Sequence, residues 1–216
     1  MTLTLLDIYN KVTGQPLSIF ETDISDQGEV DHKVLTSIQK ALRVLWDAYP
    51  YSFRLKNLDI TTTADQKDYE QPTGIVVKDG VKLTDNGNIL RLAEKYKHFD
   101  NAAGTPEQFY IRYNKINFYP VPDKEYCVSV DYNTFYMAKS SDGTSKYNLS
   151  ELDDVLDIPE MFEDLFLTAL MNKAMLNALG SITSSFYQSY LQQFIEAYKS
   201  LIINSDSVEK DTRIKW

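Results

Sequence analysis

The chain has 216 residues, 43% hydrophobic and 25% charged, which suits one good core or a compact domain carrying a second and excludes a disordered chain. Its 31 acidic against 22 Lys and Arg residues give a formal charge of -9, which argues against a DNA-gripping module and still allows a surface that DNA slides past without sticking. One cysteine, Cys127, rules out an intrachain disulfide, and no window carries the roughly 18 apolar residues of a membrane helix.

Met1 to Asp7 has no basic region ahead of an apolar stretch, which argues against a signal peptide and for folding in a reducing cytoplasm. From Leu3 to Thr13, Leu5, Leu6, Tyr9 and Val12 fall at helical spacing, and Gly14 follows as a C-terminal cap. After a polar loop, Asp26 and Glu29 have the spacing of a capping box. Val34, Leu35, Ile38, Ala41, Leu42, Leu45, Trp46 and Tyr49 then trace one face of a second helix, which Pro50 ends.

Beyond Phe53 the periodicity changes to that of strands. Leu58, Ile60 and Thr62 alternate, and Tyr69 to Pro72 forms a short pairing segment. Ile75 to Gly87 reads as strands broken by turns at Asp79-Gly80 and Asn86-Gly87. Ile89 to Tyr96, with Leu90, Ala93 and Tyr96, has the spacing of a short helix. Phe109 to Tyr113 and Ile116 to Tyr119 make a hairpin around Asn114-Lys115. Tyr126 to Phe135 is the longest strand signal, with Tyr126, Val128, Val130 and Tyr132 on one face and Cys127 expected as a buried free thiol. Lys139 to Ser150 is a polar loop.

Asp157-Ile158-Pro159-Glu160 opens a third helix with an acid at the N-cap and an early proline. Its apolar positions, among them Phe162, Phe166, Leu170 and Met171, wrap over half the circumference, so it is either central to its own fold or buried against a second chain. On the second reading those four residues are candidate oligomer contacts. After Gly180-Ser181, Tyr187, Tyr190, Leu191, Phe194, Ile195, Tyr198, Leu201 and Ile202 form the stripe of a last helix, and Ser205 to Trp216 is a charged tail. The layout is α+β: a helical layer of N- and C-terminal helices, 1–54 with 157–204, an inserted antiparallel β-rich domain, 55–156, and a tail, 205–216.

Catalytic chemistry finds little support. His32 and His98 have no Cys or His neighbour at ligand spacing. Asp153-Asp154 and Glu163-Asp164 read as solvated acids near a helix N-terminus, and no phosphate loop or nucleophile elbow occurs. The sequence therefore calls for no enzyme, metal or cofactor. Its 15 Tyr and 10 Phe suit either a β layer or an association surface.

The segment order carries a resemblance. Trp46-Asp47-Ala48-Tyr49-Pro50-Tyr51-Ser52-Phe53-Arg54 is similar to the helix end and aromatic turn of tailed-phage head-to-tail adaptors, the head completion or tail tubular A proteins. Leu58 to Thr63 with Asp68-Tyr69-Glu70-Gln71-Pro72 resembles their strand and turn, though Gln71 stands where Leu is frequent. Gly104-Thr105-Pro106 to Tyr110, Lys115 to Asp123, and Leu156-Asp157-Ile158-Pro159-Glu160-Met161-Phe162 resemble their later passages, within a span of about Asp31 to Asn204. The resemblance implies a structural virion protein of the neck, assembled in the host cytoplasm: a homo-oligomeric ring, usually dodecameric, docked beneath the portal protein. Such a ring meets the next tail or ring protein and extends the channel through which DNA passes at ejection without sequence-specific binding, with no membrane involved. It also implies that Val208, Ile214 and Trp216 meet the portal or a neighbouring subunit; folding of Trp216 back onto its own helices is the other reading. The alternative function is an α+β binding module, for example a surface-glycan binder using its tyrosines.

Overall fold

In a computed structural model, residues 3–14, 27–93, 102–179 and 185–213 are described. The chain divides into two compact units, Met1–Phe53 with Tyr136–Trp216, and Arg54–Phe135.

The helical unit begins with α1, Leu5–Thr13, whose start is fixed by Thr4. The Thr4 hydroxyl accepts from the Asp7 amide at 3.1 Å while Asp7 accepts from the Thr4 amide at 3.0 Å, so two donors that a helix start leaves orphaned are both satisfied. Leu5, Ile8 and Val12 face the core, whereas Leu6, expected inside, is exposed. Helix α2, Gln27–Ala48, stops before Pro50 as its sequence predicts, and its Val34, Ile38, Ala41, Leu42, Leu45 and Trp46 are buried. The proposed box at Asp26 lies outside the described residues. Helix α3, Glu160–Leu179, packs between α2 and α4, Ser185–Arg213. Helix α4 runs on past Ser205, the expected start of the tail, to Arg213.

The β unit holds β1, Leu55–Thr61; β2, Asp68–Glu70; β3, Gly74–Leu83; β4, Arg91–Leu92; β5, Ala103–Gly104; β6, Gln108–Arg112; β7, Lys115–Tyr119; β8, Val121–Pro122; and β9, Cys127–Thr134. One sheet has the order β1-β9-β3, antiparallel throughout, and a second the order β2-β7-β6-β4, in which β4 runs parallel to β6; β5 and β8 form a short parallel pair. Val81, Leu83, Val128 and Val130 from the first sheet meet Tyr69, Phe109, Ile116 and Phe118 from the second in one core.

Several local expectations change here. Asp79-Gly80 is no turn: β3 passes through it with an irregular register between Val76 and Val81. A side chain at Gly80 would bring its Cβ within 2.7 Å of the Asp131 Cβ, so glycine answers a close strand approach rather than a turn. Asn86-Gly87 does turn, with Gly87 at φ 69. The helix expected from Ile89 is replaced by a bridge of Ile89 to Lys82 and by β4, because β6 offers that segment a ladder; Tyr96 lies outside the described residues. Cys127 is exposed, since strand alternation sends its neighbours Val128 and Val130 to the core.

Lys139 to Ser150, expected as a polar loop, belongs to the helical unit and with its flanks forms a small sheet. Its strands are β10, Ala138–Lys139; β11, Ser145–Lys146; and β12, Val155–Leu156, in the order β11-β10-β12. Leu149, Leu156, Met137 and Ala138 enter the helical core, so the unit break falls at 135 rather than at 156.

Candidate functional site

The exit of α2 is built from aromatic side chains. Trp46 and Phe53 lie 5.7 Å apart, Tyr51 stacks on Phe53 at 5.0 Å, and Phe53 meets Phe162 at 5.2 Å and Phe166 at 6.3 Å. Pro50 forces the chain out of the helix, and the residues on either side then fold back onto α3. Offset and edge contacts of this kind add to the burial of each ring.

This cluster decides the fate of the candidate oligomer contacts. Phe162, Phe166 and Leu170 are fully buried inside the subunit's own core, and Met171 is half-buried. The wide apolar circumference of α3 is thus consumed by α2 on one side and α4 on another, leaving those three side chains nothing to offer a second chain. Met171 lines a cleft of about 140 Å³ with Thr168, Asn172, Met175, Tyr190 and Gln193. Among the described residues of this unit, the large hydrophobic side chains that face outward are Leu6, Val44, Tyr147, Leu152, Met161 and Ile203.

The C-terminal candidates sit differently. Val208 lies within α4, and Ile214 and Trp216 lie outside the described residues. The turn of α4 just before Val208 is anchored to the α2 exit: the Ser52 amide donates to Ser205 Oγ at 2.7 Å, and the Tyr49 hydroxyl donates to Asp206.

Asp154 is the strongest electrostatic feature, and it is no solvated cap. It is 0% exposed, and its carboxylate takes Lys146 Nζ at 2.6 Å, the Ser150 amide at 2.7 Å and the Glu151 amide at 2.9 Å. Burial pushes its pKa up, but the Lys146 ammonium and the Glu151 and Ser150 donors outweigh that and hold it at about 2. Its backbone carbonyl accepts from the Leu5 amide at 3.0 Å, and the Leu156 amide donates to Leu3, so this clasp ties the small sheet to the start of α1. Asp157, expected to cap α3, instead receives Lys139 Nζ at 2.8 Å, and α3 starts at Glu160.

Glu151, Asp153 and Asp154 place one oxygen each within 4.8 Å of one another. The oxygens of Asp154 are already engaged by Lys146 and by backbone and hydroxyl donors, so this group reads as a structural clasp rather than a ligand set. His32 is exposed on α2, and His98 lies outside the described residues. Among the described residues no helix is long and apolar enough to cross a membrane.

Two further features escaped the sequence. The β6–β7 turn is made by Tyr113-Asn114, not by Asn114-Lys115, with both residues at positive φ, 52 and 58. A cavity of about 260 Å³ opens beside α1 and α3, with Leu3 and Leu167 as its apolar part. The two-residue spacing between β6 and β7 signalled the first; nothing local in the sequence brings Leu3 to Leu167.

The aromatic exit of α2, the β-rich insertion and the closing helices thus occur in the order that the sequence motifs suggested. Residues 4–213 match the family of SU10 adaptor proteins. The chain belongs to that family. No curated protein matches it. The family is one of phage head-to-tail adaptors, and the match extends beyond the Asp31–Asn204 span of the motifs to include α1 and the end of α4. Membership makes the adaptor a structural protein of the virion neck that works with portal and tail proteins, and it implies a non-catalytic role.

Proposed function

We propose that copies of this adaptor assemble into a ring, of twelve subunits, that docks beneath the portal and continues the DNA channel toward the tail. The family match over 4–213 carries this reading. The charge of -9 supports it, because an acidic wall lets the genome pass without ion-pairing to it. In this reading the end of α4, with Val208, and Ile214 and Trp216 beyond it reach the portal or a neighbouring adaptor. The helical unit supplies the body of the ring, held rigid by its aromatic core, and the β unit braces it. Cryo-electron microscopy of the virion neck tests the proposal. A closed ring of this protein between portal and tail is the expected result, and a neck with single or unclosed copies overturns it.

A further inference from the structure

The tip of the β6–β7 hairpin holds an aromatic side chain out into solvent at a cost in backbone conformation. Tyr113 is 81% exposed and sits at φ 52, where a bulky side chain is crowded by its own backbone and Asn or Gly is the usual occupant. The Arg112 guanidinium lies 4.6 Å from the centre of its ring, and Ile111 beside it is also exposed. The two-residue turn sets the positive φ, but it does not call for an aromatic residue there, since Ile116, Phe118 and Phe109 supply the buried side of the hairpin.

The same chain carries a receptor of complementary character. The cavity of about 260 Å³ in the helical unit is lined by apolar Leu3 and Leu167 and, among the described residues, by Asp7, Glu163 and Asp164 with Asn10 and the cation Lys11. An apolar cavity of roughly 150 Å³ holds a benzene ring, so a phenol fits this one. The hydroxyl of a tyrosine and a neighbouring guanidinium suit an acidic rim.

We infer that in the assembled ring Tyr113 of one adaptor inserts into this cavity of the next, with Arg112 pairing to its acidic rim. Knob and socket are different surfaces of one chain, so the contact is heterologous and repeats around a closed ring. This inference rests on the ring reading above.

The test uses whole virions. Tyr113 is replaced by p-azidophenylalanine, the particles are irradiated, and the adaptor is analysed by denaturing electrophoresis and peptide mass spectrometry. The expected result is a ladder of adaptor multimers with adducts on peptides that contain Leu3 to Lys11 or Glu163 to Leu167. Adducts on the portal, on a tail protein or elsewhere on the adaptor, or no ladder, overturn the inference while an adaptor ring seen in the same necks leaves the ring reading intact. In a second arm, Arg112→Glu lowers the yield of tailed particles at least roughly tenfold, since like charges oppose docking, and Arg112→Glu with Asp164→Arg restores it. Unchanged yield with Arg112→Glu, or no restoration by the second substitution, counts against the pairing.

Discussion

The backbone amide of Ser52 donates to the hydroxyl of Ser205, at 2.7 Å and 153 residues further along the chain. Ser205 is buried, and its own hydroxyl also contacts that of Ser52 at 3.1 Å. One side chain thus satisfies an amide at the point where the chain leaves the helical unit for the β unit, and it fixes the late turns of α4 to that point.

Removing the acceptor leaves a part-buried N–H without its partner. Ser205→Ala is expected to destabilise the adaptor by about 1–2 kcal/mol, within the range for an unsatisfied buried donor. Urea unfolding of the purified chain measures this. No change in midpoint means that water replaces the hydroxyl.

Phe166→Ala is expected to cost about 3–5 kcal/mol, the range for truncating a buried Phe, because its ring touches Trp46, Tyr51 and Phe53 at once. The loss falls on the folding of the helical unit. Amide hydrogen exchange that rises through α2 and α3 while the β unit keeps its protection is the expected pattern. A variant that stays as stable as the parent yet no longer assembles would return this residue to a subunit seam.

Phe166 also marks what the sequence could and could not disclose. The apolar positions of α3 wrap too far for one amphipathic face, and periodicity alone has no means to tell a neighbouring chain from two flanking helices of the same chain. The answer lay in Tyr51 and Phe53, which reach α3 only after Pro50 turns the chain. Helices and the hairpin were legible because their periods and breakers are local. Gly80 and Ile89 were not, since a glycine facing Asp131 and a ladder offered by β6 are properties of strand neighbours distant in sequence. The Asp154 clasp was hidden for the same reason: its four donor groups include Lys146, which a loop reading left in solvent. Of the candidate assembly surface, the sequence offered the hairpin but misplaced its turn by one residue, and the cavity that faces α1 and α3 left no linear trace.

Asp154 makes the stability of the adaptor depend on acid. Its carboxyl titrates at about 2 in the folded chain against 3.8 for an unperturbed Asp, so the folded state holds fewer protons than the unfolded state between those values. The contribution is therefore present in full above about pH 4 and lost as pH falls toward 2, about 2 kcal/mol in all. Asp154→Asn removes the carboxylate that Lys146 binds and is expected to lower stability at pH 7 by about 1–2 kcal/mol, since the backbone donors lose a charged acceptor while the part-exposed Lys146 keeps Glu151 at 3.4 Å. It also flattens the fall between pH 4 and 2. Thermal melts of parent and variant across that range check both, and parallel curves would assign the acid sensitivity to other carboxylates.

Deleting Lys210 to Trp216 separates portal docking from intrachain packing of the C-terminal end. Burying an indole contributes on the order of 2–3 kcal/mol, enough to matter to either partner. With docking, the shortened chain keeps its melting temperature but loses affinity for the purified portal. With packing, the melting temperature falls and portal affinity is unchanged.

Tyr113 sets stability against assembly. A glycine tolerates φ 52 without the crowding that a tyrosine suffers, and relief of such a backbone is worth about 1 kcal/mol. The side chain is largely in solvent, so the free subunit loses little packing by giving it up beyond its contact with Arg112. Tyr113→Gly is therefore expected to raise the unfolding free energy of the isolated subunit by about 0.5–1 kcal/mol while reducing incorporation into particles. Urea midpoints and the amount of adaptor per purified virion measure the two effects. A variant that is less stable shows that the aromatic–guanidinium contact holds the turn, and one that is incorporated as well as the parent shows that the exposed ring has no partner in the neck.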